Sequence, residues 1–301
     1  MNDKRLMIND ELLLMRTRKI TVSITSYCSS LIIKILPLIF LFLFNSCSAK
    51  ITNPDSSAYD IVKEIPIKAR LIATDKLQQL YVVTAKNDVI KYSPEGKELF
   101  RFTNNTLGEL THIDVTNPFS ILLYYPDYLT VYTLDRTLNK TGEFNFIDLN
   151  LIDVKTVGMS NDNNVWLYDE VFYKIKKINR SGEVLRESEN LTTQFGLQIE
   201  PNFILERENI LYVNDPMLGI IVFDIYGQYM KTIEIKNLTS FQIMENQLIY
   251  QEKDELKSFH LQSLATQIID LPKAISEDSH IEIRKSKLFI MKKDKVEIYS
   301  F

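Results

Sequence analysis

The sequence predicts an all-β protein, a six-bladed β-propeller, and three observations lead to this fold class. A strand–turn–strand pattern recurs about every forty residues beyond residue 59. The recurring strands carry apolar residues on both faces, and helical signals between them are scarce. The last copy of the pattern ends without a final strand, which a segment before the first copy could supply.

The chain begins with a segment typical of export signals. A basic stretch over residues 16–19 precedes an apolar run, 35–44, that is too short to span a bilayer. The run leads to Cys47, whose surroundings resemble the lipobox of bacterial lipoproteins. This resemblance implies a signal peptide over residues 1–46 and a lipid on the sulfur of Cys47. An uncleaved membrane anchor over residues 20–44 is the alternative.

A short linker is expected to separate the lipid from the folded body. Residues 47–58 are polar, contain Pro54 and lack an apolar period, so we expect a lipidated linker there and the propeller over residues 59–301. No acidic residue directly follows Cys47, whereas acidic residues at that place mark surface export in Bacteroidetes-type lipoproteins. We therefore expect an outer-membrane lipoprotein that faces the periplasm and contacts the membrane through the lipid on Cys47.

The charge of the body argues against one class of partner. Residues 1–47 hold six basic and three acidic side chains, so the remaining chain holds 29 basic and 36 acidic ones, a net charge of −7. Nucleic-acid binding needs a basic surface that neutralises phosphates, so no nucleic-acid partner is expected. Both cysteines, Cys28 and Cys47, lie before the body, which therefore can form no internal disulfide.

Six copies of the repeat can be aligned on one apolar position, in the second of the two strands that each copy clearly shows. The residues of this aligned column lie 36 to 46 residues apart, and the residue three positions earlier is also apolar in each copy. Copies one, three and four end this strand in a turn with Gly96, Gly182 or Gly227, while Leu138-Asn139 and Ser263-Leu264 stand in copies two and five. The members of the column are Tyr92, Tyr132, Ile178, Phe223, Phe259 and Tyr299.

Closure of the ring is expected from the N-terminal side of the body. The segment 59–67 has strand character and can complete the last blade, which removes open sheet edges. Eight glycines are few for such a fold, so five or seven blades remain as alternatives to six.

One repeat carries a family resemblance. Residues 211–215 (LYVND), followed by 220–224 (IIVFD) and Gly227, resemble the repeat of the six-bladed NHL/TolB-like propeller superfamily. The resemblance extends over residues 59–301. Together with the lipobox and the Ile/Lys/Asn-rich composition, it suggests an NHL/TolB-like β-propeller lipoprotein of Bacteroidetes type.

Candidate ligand contacts are expected where the first strand of each blade would line the central channel. These segments hold acidic, basic and imidazole side chains, but no spacing typical of a catalytic, metal or cofactor site. A metal site from His112 and His280 is the less favoured alternative to ordinary surface or hydrogen-bonded histidines. The candidate channel-lining residues are His112, Asp114, Glu206, His280, Glu282 and Arg284.

An aromatic segment suggests a second kind of site. Tyr124, Tyr125 and Tyr128 would suit a protein-binding patch if exposed, or would pack between blades if buried. We therefore expect a non-catalytic binding or scaffold module for another envelope protein, in outer-membrane assembly or secretion. The alternatives are a propeller enzyme, lactonase- or lyase-like, and a sugar- or peptide-sensing module with its ligand at the channel mouth.

Overall fold

The computed structural model describes residues 59–276 and 278–301. The predicted signal peptide 1–46, the lipidation site Cys47 and the linker 47–58 lie outside these residues. The described chain forms six antiparallel sheets of four strands each, hereafter blades. The prediction of an all-β propeller with six blades is thereby confirmed.

The strands in chain order have the following bounds: β1 (Asp60–Ile65), β2 (Ala69–Thr74), β3 (Leu80–Thr84), β4 (Asp88–Tyr92), β5 (Glu98–Thr103), β6 (His112–Asp114), β7 (Ile121–Tyr125), β8 (Thr130–Leu134), β9 (Lys140–Asn145), β10 (Val154–Met159), β11 (Val165–Asp169), β12 (Lys174–Ile178), β13 (Val184–Glu187), β14 (Phe203–Arg207), β15 (Ile210–Asp215), β16 (Gly219–Asp224), β17 (Tyr229–Ile233), β18 (Gln242–Met244), β19 (Gln247–Glu252), β20 (Glu255–His260), β21 (Thr266–Ile269), β22 (His280–Arg284), β23 (Lys287–Met291) and β24 (Val296–Ser300). The described helical segments are a short helix α1 (Leu191–Phe195) and two 3-10 turns (Pro126–Tyr128 and Ile147–Leu149).

Each blade uses four strands that follow one another along the chain, except the last. Blades one to five comprise β2–β5, β6–β9, β10–β13, β14–β17 and β18–β21, and blade six has the order β22-β23-β24-β1. In blade six, β1 pairs antiparallel with β24, so that Asp60 lies opposite Ser300 and Ile65 opposite Val296. The sixth blade thus contains strands from both ends of the described chain.

The aligned column of apolar residues falls on the third strand of all six blades. Each member lies opposite an apolar residue of the second strand, as Phe223 does with Leu211 and Tyr299 with Leu288. One residue departs from the expected pattern: Leu129 precedes β8 with a φ of 48°, because it caps the 3-10 turn that ends at Tyr128.

Burial explains why the second and third strands read as continuous apolar runs. All five residues of β7, β8 and β11 are buried, whereas most of the outermost strand β5 is exposed. The buried residues form six clusters, one at each interface between neighbouring blades, including the interface between blades six and one. A middle strand with both faces covered by neighbouring sheets needs no polar face.

The turns between third and fourth strands share one backbone conformation. Gly96, Gly182 and Gly227 have φ values of 77°, 82° and 83°, the left-handed region that glycine adopts without steric cost. Leu138 and Leu264, which replace glycine in blades two and five, have φ values of 62° and 59°. In each of these turns the residue that opens it accepts backbone N–H bonds through its side chain, and these residues are Ser93, Asp135, Asn179, Asp224 and His260. This acceptor holds the turn even where glycine is missing.

Candidate functional site

A cavity of about 260 Å³ lies where the inner strands of the blades face one another. Its lining comes mainly from β2, β6, β14, β18 and β22 and from the segments that flank them. Side chains alternate between the two faces of a strand, and on β14 and β22 every second residue lines this cavity. We call it the axial cavity.

Five of the six candidate channel residues line the axial cavity: His112, Asp114, His280, Glu282 and Arg284. Glu206 does not, and its assignment to the channel is wrong. On β14 the cavity is lined by Phe203, Leu205 and Arg207. Glu206 lies between the last two and projects from the opposite face of the strand.

Glu206 is buried between blades three and four instead. Its carboxylate accepts hydrogen bonds from the hydroxyl of Ser160 at 2.6 Å, from the backbone N–H of Asn161 at 3.1 Å and from the indole N–H of Trp166. A buried carboxylate group needs hydrogen-bond donors in place of water, and the neighbouring blade supplies them. Glu206 therefore joins two blades and is not available to a ligand.

The two carboxylates that do line the axial cavity are also held by protein donors. Asp114 accepts the backbone N–H groups of Thr116 and Met159, both at 2.8 Å. Glu282 accepts the hydroxyl of Thr74 at 2.7 Å, and Arg284 Nη2 lies 3.3 Å from it. These contacts connect blade two with blade three and blade six with blade one.

The environment of Glu282 favours its ionised form. Burial alone would raise its pKa, but the hydrogen bond with His280, the charge of Arg284 and the hydroxyl of Thr74 lower it below the ordinary value of 4.5. The Nε2 atom of His280 lies 3.5 Å from Glu282 Oε1. An ionised carboxylate that already accepts such bonds is a poor general acid.

Two basic side chains of the axial cavity, Arg207 and His112, have no such partners. Arg207 Nε and His112 Nε2 are shut off from solvent without a hydrogen-bond partner in the described part of the chain. Burial lowers the pKa of His112, and the charge of Asp114 only partly opposes this, so the imidazole is neutral near pH 7. The sequence did not single out Arg207, because the run FILER does not show which face of β14 turns towards the axis.

The aromatic segment 124–128 is divided by burial. Tyr124 and Tyr125 are 1% and 0% exposed, so the expectation of a patch formed by all three tyrosines is wrong. They lie on β7, which is covered on both faces, and the hydroxyl of Tyr124 donates to the carbonyl of Val154 in blade three at 2.8 Å. Tyr128 follows that strand in a turn and is 52% exposed.

Tyr128 belongs to a row of exposed apolar side chains on one face of the ring. The loops between second and third strands lie on the same face in every blade, because each blade is built in the same direction. In blades two, three and four these loops expose Tyr128, Phe172 and Met217, at 52%, 56% and 75%. We call these three residues the apolar loop row.

The described residues give no sign of a metal centre or a membrane-crossing helix. No group of three or more metal-ligating side chains that could hold a metal ion occurs in residues 59–276 and 278–301. None of the helical segments in that part of the chain could cross a bilayer.

Comparison with known proteins identifies the fold and nothing narrower. No family model matches the chain, and no curated protein sequence matches it. Among solved structures, virginiamycin B lyase from Staphylococcus aureus is similar at a TM-score of 0.56 and 11% identity, over 81% of this chain and 99% of that one. A streptogramin B lyase matches at 0.55 and 14%, over 80% and 97% of the two chains.

The fold is not restricted to lyases. The WD40 domain of Pan2 from Neurospora crassa is similar at a TM-score of 0.54 and 12% identity, over 82% of this chain and 96% of that domain. Identities this low establish a shared architecture, and they carry no conclusion about chemistry. The similar structures and the sheet order together identify the chain as a six-bladed β-propeller.

Proposed function

We propose that this protein is a non-catalytic binding propeller of the cell envelope, with a small-molecule site in the axial cavity. One observation carries this proposal: the cavity is enclosed by inner strands of five blades, and both of its carboxylates already accept hydrogen bonds from the protein. Such a cavity can hold a ligand, but it offers no free general acid or base among its acidic groups. The lyase-like alternative rests on architecture alone.

Filling the axial cavity tests the proposal. Ser240 lies on a linker at the cavity, so Ser240→Trp should block it, whereas Ser263→Trp in an exposed turn of blade five should not. The full chain, in a non-ionic detergent, would be screened by thermal unfolding against acids, amines, amides, sugars and short peptides. At least one class should raise the melting temperature of the wild type and of Ser263→Trp, but not of Ser240→Trp. A screen without such a compound would count against a ligand site.

The apolar loop row favours a second role, docking to another envelope protein in outer-membrane assembly or secretion. Exposed aromatic and methionine side chains are enriched at protein interfaces. A photo-crosslinking amino acid in place of Phe172 should capture one defined partner in cells. The matched position is Phe119, which is 59% exposed in the loop between β6 and β7 on the opposite face. Equal capture from both positions would argue against a dedicated docking face.

The tether and its location are part of the proposal. We infer that Cys47 carries the lipid, that the linker 47–58 leads to an NHL/TolB-like propeller facing the periplasm, and that β1 closes the ring. The lipobox and the pairing of β1 with β24 support this inference. Labelling with a fatty-acid analogue should be lost in Cys47→Ala and kept in Cys28→Ala. Label retained in Cys47→Ala would overturn the lipidation.

A further inference from the structure

The basic side chains of the axial cavity differ in their pairing. Arg284 donates to the carbonyl of Thr74 at 2.7 Å, and Arg70 lies 2.8 Å from the carboxylate of Glu109. The guanidinium of Arg207 forms no hydrogen bond or ion pair with another described residue, although it lines the same cavity. A partly buried cation without a partner is costly, so its retention in a cavity points to a ligand that supplies the missing acceptor.

The charges around Arg207 restrict that ligand to a small anion of low charge. Three arginines and two carboxylates line the cavity, and Arg70 and Arg284 each form an ion pair, with Glu109 and Glu282. Asp114 lies near enough to act on Arg207 electrostatically, but its own charge is already held by two backbone N–H groups. A single negative charge would pair with the guanidinium of Arg207, whereas a dianion would be repelled more strongly by Asp114 and Glu282.

The walls on either side of Arg207 add an apolar requirement. Phe203 and Leu205 precede Arg207 on the same face of β14, and Phe241 lines the cavity from the next linker. The ring of His112 packs against Phe203 at 5.7 Å between centroids. The Cα atoms of Phe203 and Arg207 are about 13 Å apart along the strand. A ligand that pairs with Arg207 and also contacts Phe203 therefore needs an apolar body between those two ends.

We propose that the axial cavity binds a small monocarboxylate with an apolar body, whose anionic group pairs with the guanidinium of Arg207. The planar guanidinium can donate two parallel hydrogen bonds to a carboxylate. The body lies along Phe203 and Leu205, and the unpartnered Nε2 of His112 is placed to bond a polar group nearer the linkers. This inference rests on the proposed function and names the chemical class of its ligand.

Matched probes separate charge from shape in this site. The full chain in non-ionic detergent would be titrated with phenylacetate, with the neutral isostere phenylacetamide and with the dianion phenyl phosphate, and thermal unfolding recorded. Phenylacetate should raise the melting temperature by about 2–4 °C near saturation, and the other two should have little effect. Equal shifts with acid and amide would overturn the proposal, as would a larger shift with phenyl phosphate.

Variants of Arg207 provide a second, independent readout. Arg207→Gln should abolish the phenylacetate shift while leaving the ligand-free protein as stable as the wild type or up to about 2–4 °C more stable, because a costly cation is removed. Arg186→Gln, on the outer strand β13, should keep the shift. A shift that survives in Arg207→Gln, or a ligand-free Arg207→Gln protein that is less stable than the wild type, contradicts the proposal.

The two proposals fail in different ways. If a neutral sugar or amide binds and Ser240→Trp abolishes its binding, the cavity is a ligand site but the carboxylate assignment is wrong. If no compound stabilises the wild type in the screen, the binding function fails together with it.

Discussion

At the scale of single residues, the acidic side chains of the inner strands act mainly as links between blades. Asp114, Glu206 and Glu282 each accept hydrogen bonds from the neighbouring blade. These three candidate channel residues therefore link neighbouring blades, and Asp114 and Glu282 do so while lining the axial cavity.

Glu206→Gln tests this role. The amide would direct an N–H₂ group at donors such as Ser160 and Trp166, leaving at least one of them unpaired in a buried site. The free energy of unfolding should fall by about 2 kcal/mol in urea titrations. Glu208→Gln, at an exposed position two residues later, should change it by less than about 0.5 kcal/mol. Equal effects would show that the contacts of Glu206 contribute nothing specific.

Glu297 makes stability depend on pH. Burial would raise its pKa, but Lys292 and Lys295, each with Nζ 2.8 Å from a carboxylate oxygen, and the hydroxyl of Tyr299 lower it to about 2. Because the unfolded value is near 4.5, this stabilisation is complete above that pH and is lost as the pH falls towards 2. With screening by solvent, the loss should be about 1–2 kcal/mol.

The check for Glu297 is a series of urea titrations between pH 6 and pH 2. Glu297→Gln should show a flatter dependence on pH in the acid range than the wild type. Parallel curves for the two proteins would mean that Glu297 has no depressed pKa in the folded state.

At the scale of elements, the turns between third and fourth strands show how the blades tolerate few glycines. Leu138 and Leu264 both adopt the left-handed conformation, but Leu138 is 3% exposed and Leu264 is 62% exposed. Burial of the Leu138 side chain offsets its backbone strain, whereas the exposed side chain of Leu264 gains little from packing.

Glycine at these two positions should therefore have opposite effects. Leu264→Gly removes strain without loss of packing and should raise the free energy of unfolding by about 0.5–1 kcal/mol. Leu138→Gly removes a buried side chain and should lower it by about 2 kcal/mol or more. Thermal and urea unfolding of the two variants would decide, and the same sign for both would contradict the account.

At the scale of the whole molecule, stability should depend on the pairing of β1 with β24. Ile65 is 6% exposed and packs in the cluster between blades six and one, whereas Ile61 on the same strand is 51% exposed. If β1 closes the ring, Ile65→Ala should cost about 3 kcal/mol, and Ile61→Ala less than about 0.5 kcal/mol. Similar small losses for both would indicate that the propeller is stable without β1.

The sequence predicted the fold more completely than the site. Residues such as Tyr92, Phe223 and Tyr299 recur at a near-constant interval because every blade must cover its middle strands on both faces. Which side chains line the site depends instead on the strand face from which each one projects and on how deeply it is buried. Glu206 and Arg207 are adjacent in the chain, yet one is enclosed between blades and the other lines the axial cavity.

The sequence by itself determined the repeat, the apolar character of the middle strands and the positions of the turns, and it favoured six blades over five or seven. All of these follow from local periodicity and from turn residues. Only the tertiary structure decided which side chains meet at the axis, because residues from five blades far apart in the chain converge there. It also decided that Tyr124 and Tyr125 are buried and that Arg207 is unpaired, since both depend on what a neighbouring blade presents.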